Sequence, residues 1–235
     1  MKLEGGDVLL YRLNIEIEKN PDINFSVQMA SLFQGVLMEN VSFEYGQKMH
    51  VSSVRPYSQF IQIEENKIIW HLSALNDEAY EYLIKPLLKD DFNFIYLRHK
   101  DLQLKIISKE VEKKSMDEFL SETFFGKCGR FVKVKFITPC AFKSQGQYIF
   151  YPTVRLIMQS LIKKFNSSSN GFSVQADELI EDLENNINII QYSLKSRLFH
   201  LEGIKIPSFV GEVTIRINGP GQMVNLANML LKYGQ

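Results

Sequence analysis

Residues 11–18 read YRLNIEIE, and this stretch decides the fold. Tyr11, Leu13, Ile15 and Ile17 alternate with polar residues, which is the period of two expected of a strand with one buried face. The apolar face of such a strand must be covered by another element, because sheets bury one side against a second layer. The stretch therefore predicts a sheet strand with helices packed on one side.

A helix is predicted directly after this strand, because apolar residues recur there at helical spacing. They are Met29, Leu32, Phe33, Val36 and Leu37. Two strand candidates follow at residues 57–63 and 67–72, and the polar residues between them are typical of a hairpin turn. Asn76 can cap a second helical pattern, after which apolar segments at 92–97 and 102–111 supply one or two closing strands. This order is the ferredoxin-like plan.

The second half of the chain repeats the order. Val132, Val134 and Phe136 alternate with lysines, and Pro152 and Thr153 open an amphipathic helix. Strands are predicted at 187–201 and 209–218, followed by a last helix. We therefore predict an α+β protein of two tandem ferredoxin-like (RRM-like) domains, residues 1–118 and 119–235, in which each antiparallel sheet is covered by helices.

The composition is that of a folded protein without an obvious metal or membrane site. Apolar residues make up 45% of the 235 and charged residues 23%. Cys128 and Cys140 stand apart from any Cys/His cluster, and no Asp, Glu and His residues share the spacing of metal ligands. No apolar run approaches the ~20 residues of a membrane span, and no leader segment opens the chain. We expect no metal, no cofactor, no membrane contact and a cytoplasmic location.

The charges are unevenly distributed although the formal net charge is zero. Residues 1–123 carry 14 Lys and Arg against 20 Asp and Glu, whereas residues 124–235 carry 13 against 7. Residues 124–176 contain eight basic residues and no acidic one. A positive segment of this length favours a polyanionic partner such as nucleic acid, although a solvated face is the plainer interpretation.

Three stretches carry a resemblance to a known family. The first is FQGV at residues 33–36 with MH at 49–50 and RPYS at 55–58, the second is 138–151, and the third is 203–231. Their order and spacing resemble the CRISPR-associated repeat-processing endoribonucleases, the Cas six family of the RAMP superfamily. The resemblance implies an endoribonuclease that binds CRISPR repeat RNA and cuts it once per repeat. The implied reaction is metal-independent attack of a 2′-hydroxyl on the adjacent phosphate, which leaves a cyclic phosphate.

The resemblance also implies catalytic residues. His50 matches the family's histidine, and histidine suits proton transfer because its unperturbed pKa is near ~6.5. We expect it in a loop before a strand, although its pattern alone also fits an ordinary surface histidine. Arg55 falls where the family has Lys or Arg, and its fixed charge would stabilise the crowded phosphorus. The family's additional tyrosine aligns with Met38, so Tyr45, expected in the loop before His50, is the substitute candidate.

RNA contacts are predicted from the basic half of the chain. The candidates are Lys143, Gln145, Arg155, Lys163, Lys164, Lys195 and Arg197. The family usually continues beyond the last helix into a glycine-rich loop and strand, whereas this sequence ends at Gln235, so the loop is expected to be missing here, by nature or by truncation. Exposed sheet edges would then invite pairing with another chain, which makes a homodimer a candidate assembly.

Two other functions remain open at this stage. A non-catalytic subunit could hold repeat RNA within a larger CRISPR effector complex, with other effector subunits as partners. A protein-interaction scaffold of paired ferredoxin-like domains is the more distant alternative. Cleavage by the chain, and its dependence on His50, separates the enzyme from both.

Overall fold

The computed structural model describes residues 9–169, 173–174, 176–201 and 203–234. The chain divides into two compact units between Met116 and Asp117.

The N-terminal unit contains a five-stranded antiparallel sheet in the order β2-β3-β1-β5-β4. Its strands are β1 (Leu9–Glu18), β2 (Tyr57–Ile63), β3 (Lys67–Ala74), β4 (Phe94–Leu97) and β5 (Leu102–Ser115). Helices α1 (Ala30–Glu39) and α2 (Phe43–Val51) lie between β1 and β2 in the chain. The central position of β1 explains why its alternating apolar side is fully buried.

The core of this unit forms where α1 meets the middle of the sheet. Ile15 of β1 lies opposite Trp70 of β3, and both side chains are fully buried. Phe33 of α1 packs edge-on against the Trp70 ring, with 5.3 Å between ring centroids. The indole Nε1 donates a hydrogen bond of 2.9 Å to Gln59 Oε1, so the polar atom of the buried ring is satisfied.

The predicted second helix is present but irregular. Asn76 caps it as expected, since the Ala79 amide donates to Asn76 Oδ1 at 2.8 Å. A single α-helical turn, α3 (Asp77–Ala79), passes into a π-helical turn at Tyr80–Ile84 and a tight 3-10 turn at Lys85–Leu88. Pro86 explains the change, because proline donates no amide hydrogen bond and its ring crowds the preceding turn.

The C-terminal unit contains a three-stranded antiparallel sheet in the order β6-β10-β9 and a small hairpin. The strands are β6 (Phe131–Cys140), β7 (Phe142–Ser144), β8 (Gln147–Ile149), β9 (Ile187–Leu201) and β10 (Ile204–Ile217), with β7 and β8 forming the hairpin. The helices are α4 (Met116–Thr123), α5 (Val154–Ser168), α6 (Ala176–Asn186) and α7 (Gly221–Tyr233). β10 begins five residues before the predicted Phe209, because it pairs with β9 as far as Ile204.

One side of this sheet is apolar and buried beneath the helices. Val213, Ile215 and Ile217 of β10 are at most 1% exposed, and α5 and α7 supply buried residues such as Ile162 and Leu230. Both units therefore combine antiparallel sheets with covering helices, which confirms the predicted fold class. In the described part of the chain, the outer edge of β6 has no paired strand.

Gly211 should be essential to the C-terminal sheet. Its φ is +128°, and a Cβ placed there would lie 2.1 Å from the Ser193 carbonyl oxygen of β9. We expect Gly211→Ala to lower the free energy of unfolding by at least about 2 kcal/mol, measured by urea or thermal denaturation.

Gly35→Ala is the matched control. A Cβ at Gly35, inside α1, meets nothing within 4 Å, so stability should stay the same or rise by about 0.5–1 kcal/mol. Equal stability of the two variants would contradict the proposed close approach at Gly211.

Candidate active site

The candidate catalytic histidine lies on the last turn of α2. Ser42 caps the start of this helix, where its Oγ accepts from the Tyr45 amide at 3.3 Å. The helix ends after Val51, and the Ser52 amide bonds to the Lys48 carbonyl. His50 is exposed. The prediction that it lies in a loop is wrong, although a helix terminus exposes its side chain just as a loop would.

Arg55 reaches back to the same end of α2. Its Nε donates to the Met49 carbonyl oxygen at 3.4 Å, a carbonyl near the helix end. Cations are favoured at helix C-termini because the terminal carbonyls carry partial negative charge. The Arg55 side chain is therefore held at the backbone of the residue that precedes His50, and the residue itself is exposed.

Tyr45 does not match its expected place. It lies in the first turn of α2 rather than in a loop, is 3% exposed, and stacks on Tyr82 with ring centroids 4.6 Å apart. Burial, followed by the nearby Glu78 carboxylate, raises the pKa of Tyr45. Its hydroxyl is buried without a hydrogen-bond partner. This arrangement suits a core residue that orients α2 and not a group that exchanges protons with a substrate.

Helix α1 makes one contact with the beginning of β2 that sequence analysis did not predict. Gln34 Nε2 donates to the Tyr57 hydroxyl at 2.9 Å, and Tyr57 is the buried first residue of β2, two positions after Arg55. The contact ties α1 to the chain segment that carries Arg55. Met38, which aligns with the family's tyrosine, is partly buried against the core on the same helix.

A second cation on α2, Lys48, is paired with a carboxylate. Lys48 Nζ lies 2.5 Å from Glu78 Oε1, and both side chains are about half exposed. Exposed pairs of this kind contribute roughly 0–1 kcal/mol to stability. Arg55, by contrast, is the cation whose side chain is hydrogen-bonded to the backbone at the end of α2.

The predicted RNA-binding residues lie on three separate elements of the C-terminal unit. Lys143 is on the β7–β8 hairpin with its Nζ 5.9 Å from the centroid of the Tyr148 ring, and Gln145 occupies the hairpin turn with φ +49°. Lys195 and Arg197 are exposed on β9. The remaining three, Arg155, Lys163 and Lys164, lie on α5.

The α5 residues differ in how available their charges are. Arg155 is paired with Glu184 of α6, with a distance of 2.7 Å between nitrogen and oxygen. Burial lowers the pKa of Lys164, whereas Lys163 is exposed. Lys163 is therefore the most readily accessible of these three charges.

Among the residues that the structure describes, no group of three or more His, Cys, Asp or Glu side chains is placed to hold a metal ion. Cys128 and Cys140 are free thiols, and burial raises the pKa of Cys140 to about 11. In the same described ranges, no helix has the length and apolar character needed to cross a bilayer.

Comparison with known sequences finds one matching sequence profile and similar proteins of the same description. The sequence profile described as CRISPR-associated endoribonuclease Cas6 matches residues 134–235. A protein of that description from Mycobacterium tuberculosis is 27% identical over 230 residues, which are 96% of this chain and 73% of that protein. Another, from Streptococcus thermophilus, is 27% identical over 209 residues, which are 88% of this chain and 84% of that protein.

Solved structures share the architecture. Thermus thermophilus Cas6 matches with a TM-score of 0.71 at 20% identity, over 96% of this chain and 90% of that chain. A Cas6-related protein from Pyrococcus furiosus matches with 0.55 at 10% identity, over 96% of both chains. The chain is thus a protein of tandem ferredoxin-like folds. In sequence it is similar to the CRISPR-associated endoribonucleases of the Cas6 family, whose profile matches its C-terminal residues 134–235.

The variant Tyr45→Phe tests whether the Tyr45 hydroxyl takes part in the reaction. A buried hydroxyl without a partner costs about 1–3 kcal/mol, so its removal should leave the free energy of unfolding unchanged or raise it. RNA cleavage should stay within about twofold of the parent rate, because no proton transfer by this group is involved. A large loss of cleavage without a loss of stability would show that the Tyr45 hydroxyl takes part in catalysis.

Proposed function

We propose that this chain cleaves CRISPR repeat RNA by internal transesterification, with His50 and Arg55 at the reacting phosphate. The observation that carries the proposal is the arrangement at the end of α2. An exposed histidine occupies the last helical turn, and the Arg55 side chain bonds to the carbonyl of the residue before it. Proton transfer and positive charge are the two requirements of the reaction.

The reaction balances without an added reactant. The 2′-oxygen forms a bond to phosphorus and gives up its proton, while the bond from phosphorus to the 5′-oxygen breaks and that oxygen gains a proton. The products are a 2′,3′-cyclic phosphate and a 5′-hydroxyl. The neutral imidazole of His50 can accept the first proton through its unprotonated ring nitrogen, and the imidazolium formed in that way can supply the second.

Arg55 is proposed to stabilise the extra negative charge at phosphorus. Its guanidinium is always charged and offers planar donors that match phosphate oxygens. Removing one preorganised donor from such a site typically lowers the rate on the order of 100-fold. We propose that this fixed charge makes a metal ion unnecessary, so chelator should not slow cleavage.

RNA binding is proposed for the C-terminal unit. Similar solved structures include a Cas6 product complex and a Cas6 substrate-mimic complex, and residues 124–176 have no acidic side chain. Lys143 with Gln145 on the hairpin, Lys163 on α5, and Lys195 with Arg197 on β9 are the accessible candidates. Arg155 and Lys164 remain candidates, but Arg155 would have to exchange Glu184 for RNA.

Protein partners are a further part of the proposal. The unpaired outer edge of β6 in the described chain could accept a strand from a second copy, which supports the predicted homodimer, or from another CRISPR effector subunit.

His50→Ala should abolish cleavage and preserve binding. We expect the single-turnover rate on the host's repeat RNA to fall by about 100-fold to 10,000-fold, because the variant loses the group that moves the proton. His99→Ala is the matched control, because His99 is also an exposed histidine of the N-terminal unit. This variant should cleave at the parent rate. The assay is gel electrophoresis of fragments in excess chelator, with end-group analysis for the cyclic phosphate.

Several outcomes would contradict this assignment. Undiminished cleavage by His50→Ala would show that another residue transfers the proton. Binding without any cleavage by the parent chain would identify a non-catalytic RNA-binding subunit. Cleavage that chelator abolishes would show that the reaction depends on a metal.

Two substitutions at Arg55 separate charge from geometry. Arg55→Gln removes the charge and should slow single-turnover cleavage on the order of 100-fold. Arg55→Lys keeps a charge but loses the planar donors, so about tenfold is expected. Repeat RNA affinity, measured in parallel, should change less than the rate; equal rates for the two variants would show that the charge is not used.

A further inference from the structure

The C-terminal sheet has a polar side that is opposite to its buried side. Along β10 the side chains alternate, so Glu212, Thr214 and Arg216 point away from the side that buries Val213 and Ile215. We call the surface formed by these side chains and their cross-strand neighbours the open face.

The strand register identifies the other members of the open face. On β6, Lys135 lies opposite Glu212, Lys133 opposite Thr214, and Phe131 opposite Arg216. On β9, Ser193 lies opposite Glu212 and Gln191 opposite Thr214. Directly opposed residues in antiparallel strands point to the same side of the sheet. The face therefore extends across all three strands.

The predicted RNA contacts on β9 belong to the same surface. Lys195 lies opposite Val210 and Arg197 opposite Ser208, which continues the alternation of Ser193 and Gln191. The β10 register with β9 is continuous from Ile204 to Thr214, so no bulge turns these residues to the other side.

The open face is strongly cationic. It presents five basic side chains, Lys133, Lys135, Lys195, Arg197 and Arg216, against one carboxylate, Glu212. Lys133 Nζ is 3.2 Å from Glu212 Oε1, and the two side chains are 64% and 41% exposed, so this pair is screened by water. The other four basic residues are also exposed.

The open face also contains an exposed aromatic ring, that of Phe131. Its ring is 65% exposed at the beginning of β6, directly across from Arg216. An exposed aromatic ring beside a guanidinium on a flat sheet is suited to stacking against an unpaired base while the cation holds a neighbouring phosphate. Gln191, Ser193 and Thr214 add donors and acceptors within the same surface.

We propose that the open face binds a single-stranded segment of the RNA, with Phe131 stacking on one base and Arg216, Lys133 and Lys135 contacting the backbone. This inference rests on the proposed function and adds the form of nucleic acid that this surface recognises. A duplex fits poorly, because its bases are already stacked on one another and leave no partner for Phe131. Since none of these side chains is proposed to act on the reacting phosphate, the contribution of the open face is expected in RNA affinity and KM, not in the chemical step.

The experiment measures binding apart from cleavage. Fluorescence anisotropy of a labelled twelve-nucleotide oligouridine is titrated with the full chain carrying His50→Ala. Adding Phe131→Ala should weaken binding about tenfold, whereas Phe131→Trp should retain it, because every base can stack on an aromatic ring. Arg216→Gln should weaken binding severalfold and lower the salt dependence by about one phosphate contact.

Matched controls lie elsewhere in the same unit. Tyr192 is a 72% exposed aromatic residue that lies opposite Val213, on the other side of the sheet. Lys232 is an exposed cation on α7. Tyr192→Ala and Lys232→Gln should leave oligouridine affinity unchanged, and circular dichroism should show that every variant is folded.

The result that overturns the inference is unchanged oligouridine affinity for Phe131→Ala. Equal competition by a blunt RNA duplex of the same length would also overturn it, since stacking on an unpaired base would then be unnecessary. Failure of the proposed function would appear differently, as absence of cleavage in the parent chain with the Phe131 effect on binding intact. The two hypotheses can therefore fail separately.

Discussion

The side of β1 that carries Leu13, Ile15 and Ile17 must be kept from water, and the position of the candidate active site follows from this constraint. β3 and β5 pair on either side of β1, and the helices between β1 and β2 supply the apolar cover. In α2 the buried residues are Tyr45 and Met49, one helical turn apart. With that stripe turned inward, His50 projects from the exposed side of the last turn.

Burial of one apolar side also explains why the C-terminal sheet has a buried side and an open face. Hydrophobic burial requires Val213, Ile215 and Ile217 to face α5 and α7, and the pleat then directs their neighbours outward. Because the cations of β6, β9 and β10 occupy outward positions in register, burial of the apolar side concentrates positive charge on the other. The candidate active site and the open face thus depend on the hydrophobic cores of two different units.

Several features of the site could be predicted from sequence, and the failures have a physical cause. His50 and Arg55 were found through the motif spacing, and the structure connects Arg55 to the backbone at Met49. The catalytic role of both residues stays a prediction. Tyr45 was misplaced because the sequence between 43 and 51 has weak apolar periodicity, so the helix was not recognised and its inward position could not be anticipated. The Gln34–Tyr57 contact joins residues 23 positions apart, and a single sequence carries no signal for such a pair.

The sequence by itself determined the strands, most of the helices, the order of elements and the excess of basic residues in the second half. These properties depend on neighbours within a few positions, through the periods of two and 3.6 residues. Only the tertiary structure decided which charges are available. Arg155 is paired with Glu184 from another helix, whereas Arg216 lies opposite Phe131 on a neighbouring strand, although the two residues are 85 positions apart in the chain. Ion pairing and strand register are long-range relations, set when the apolar faces pack, and no local pattern encodes them.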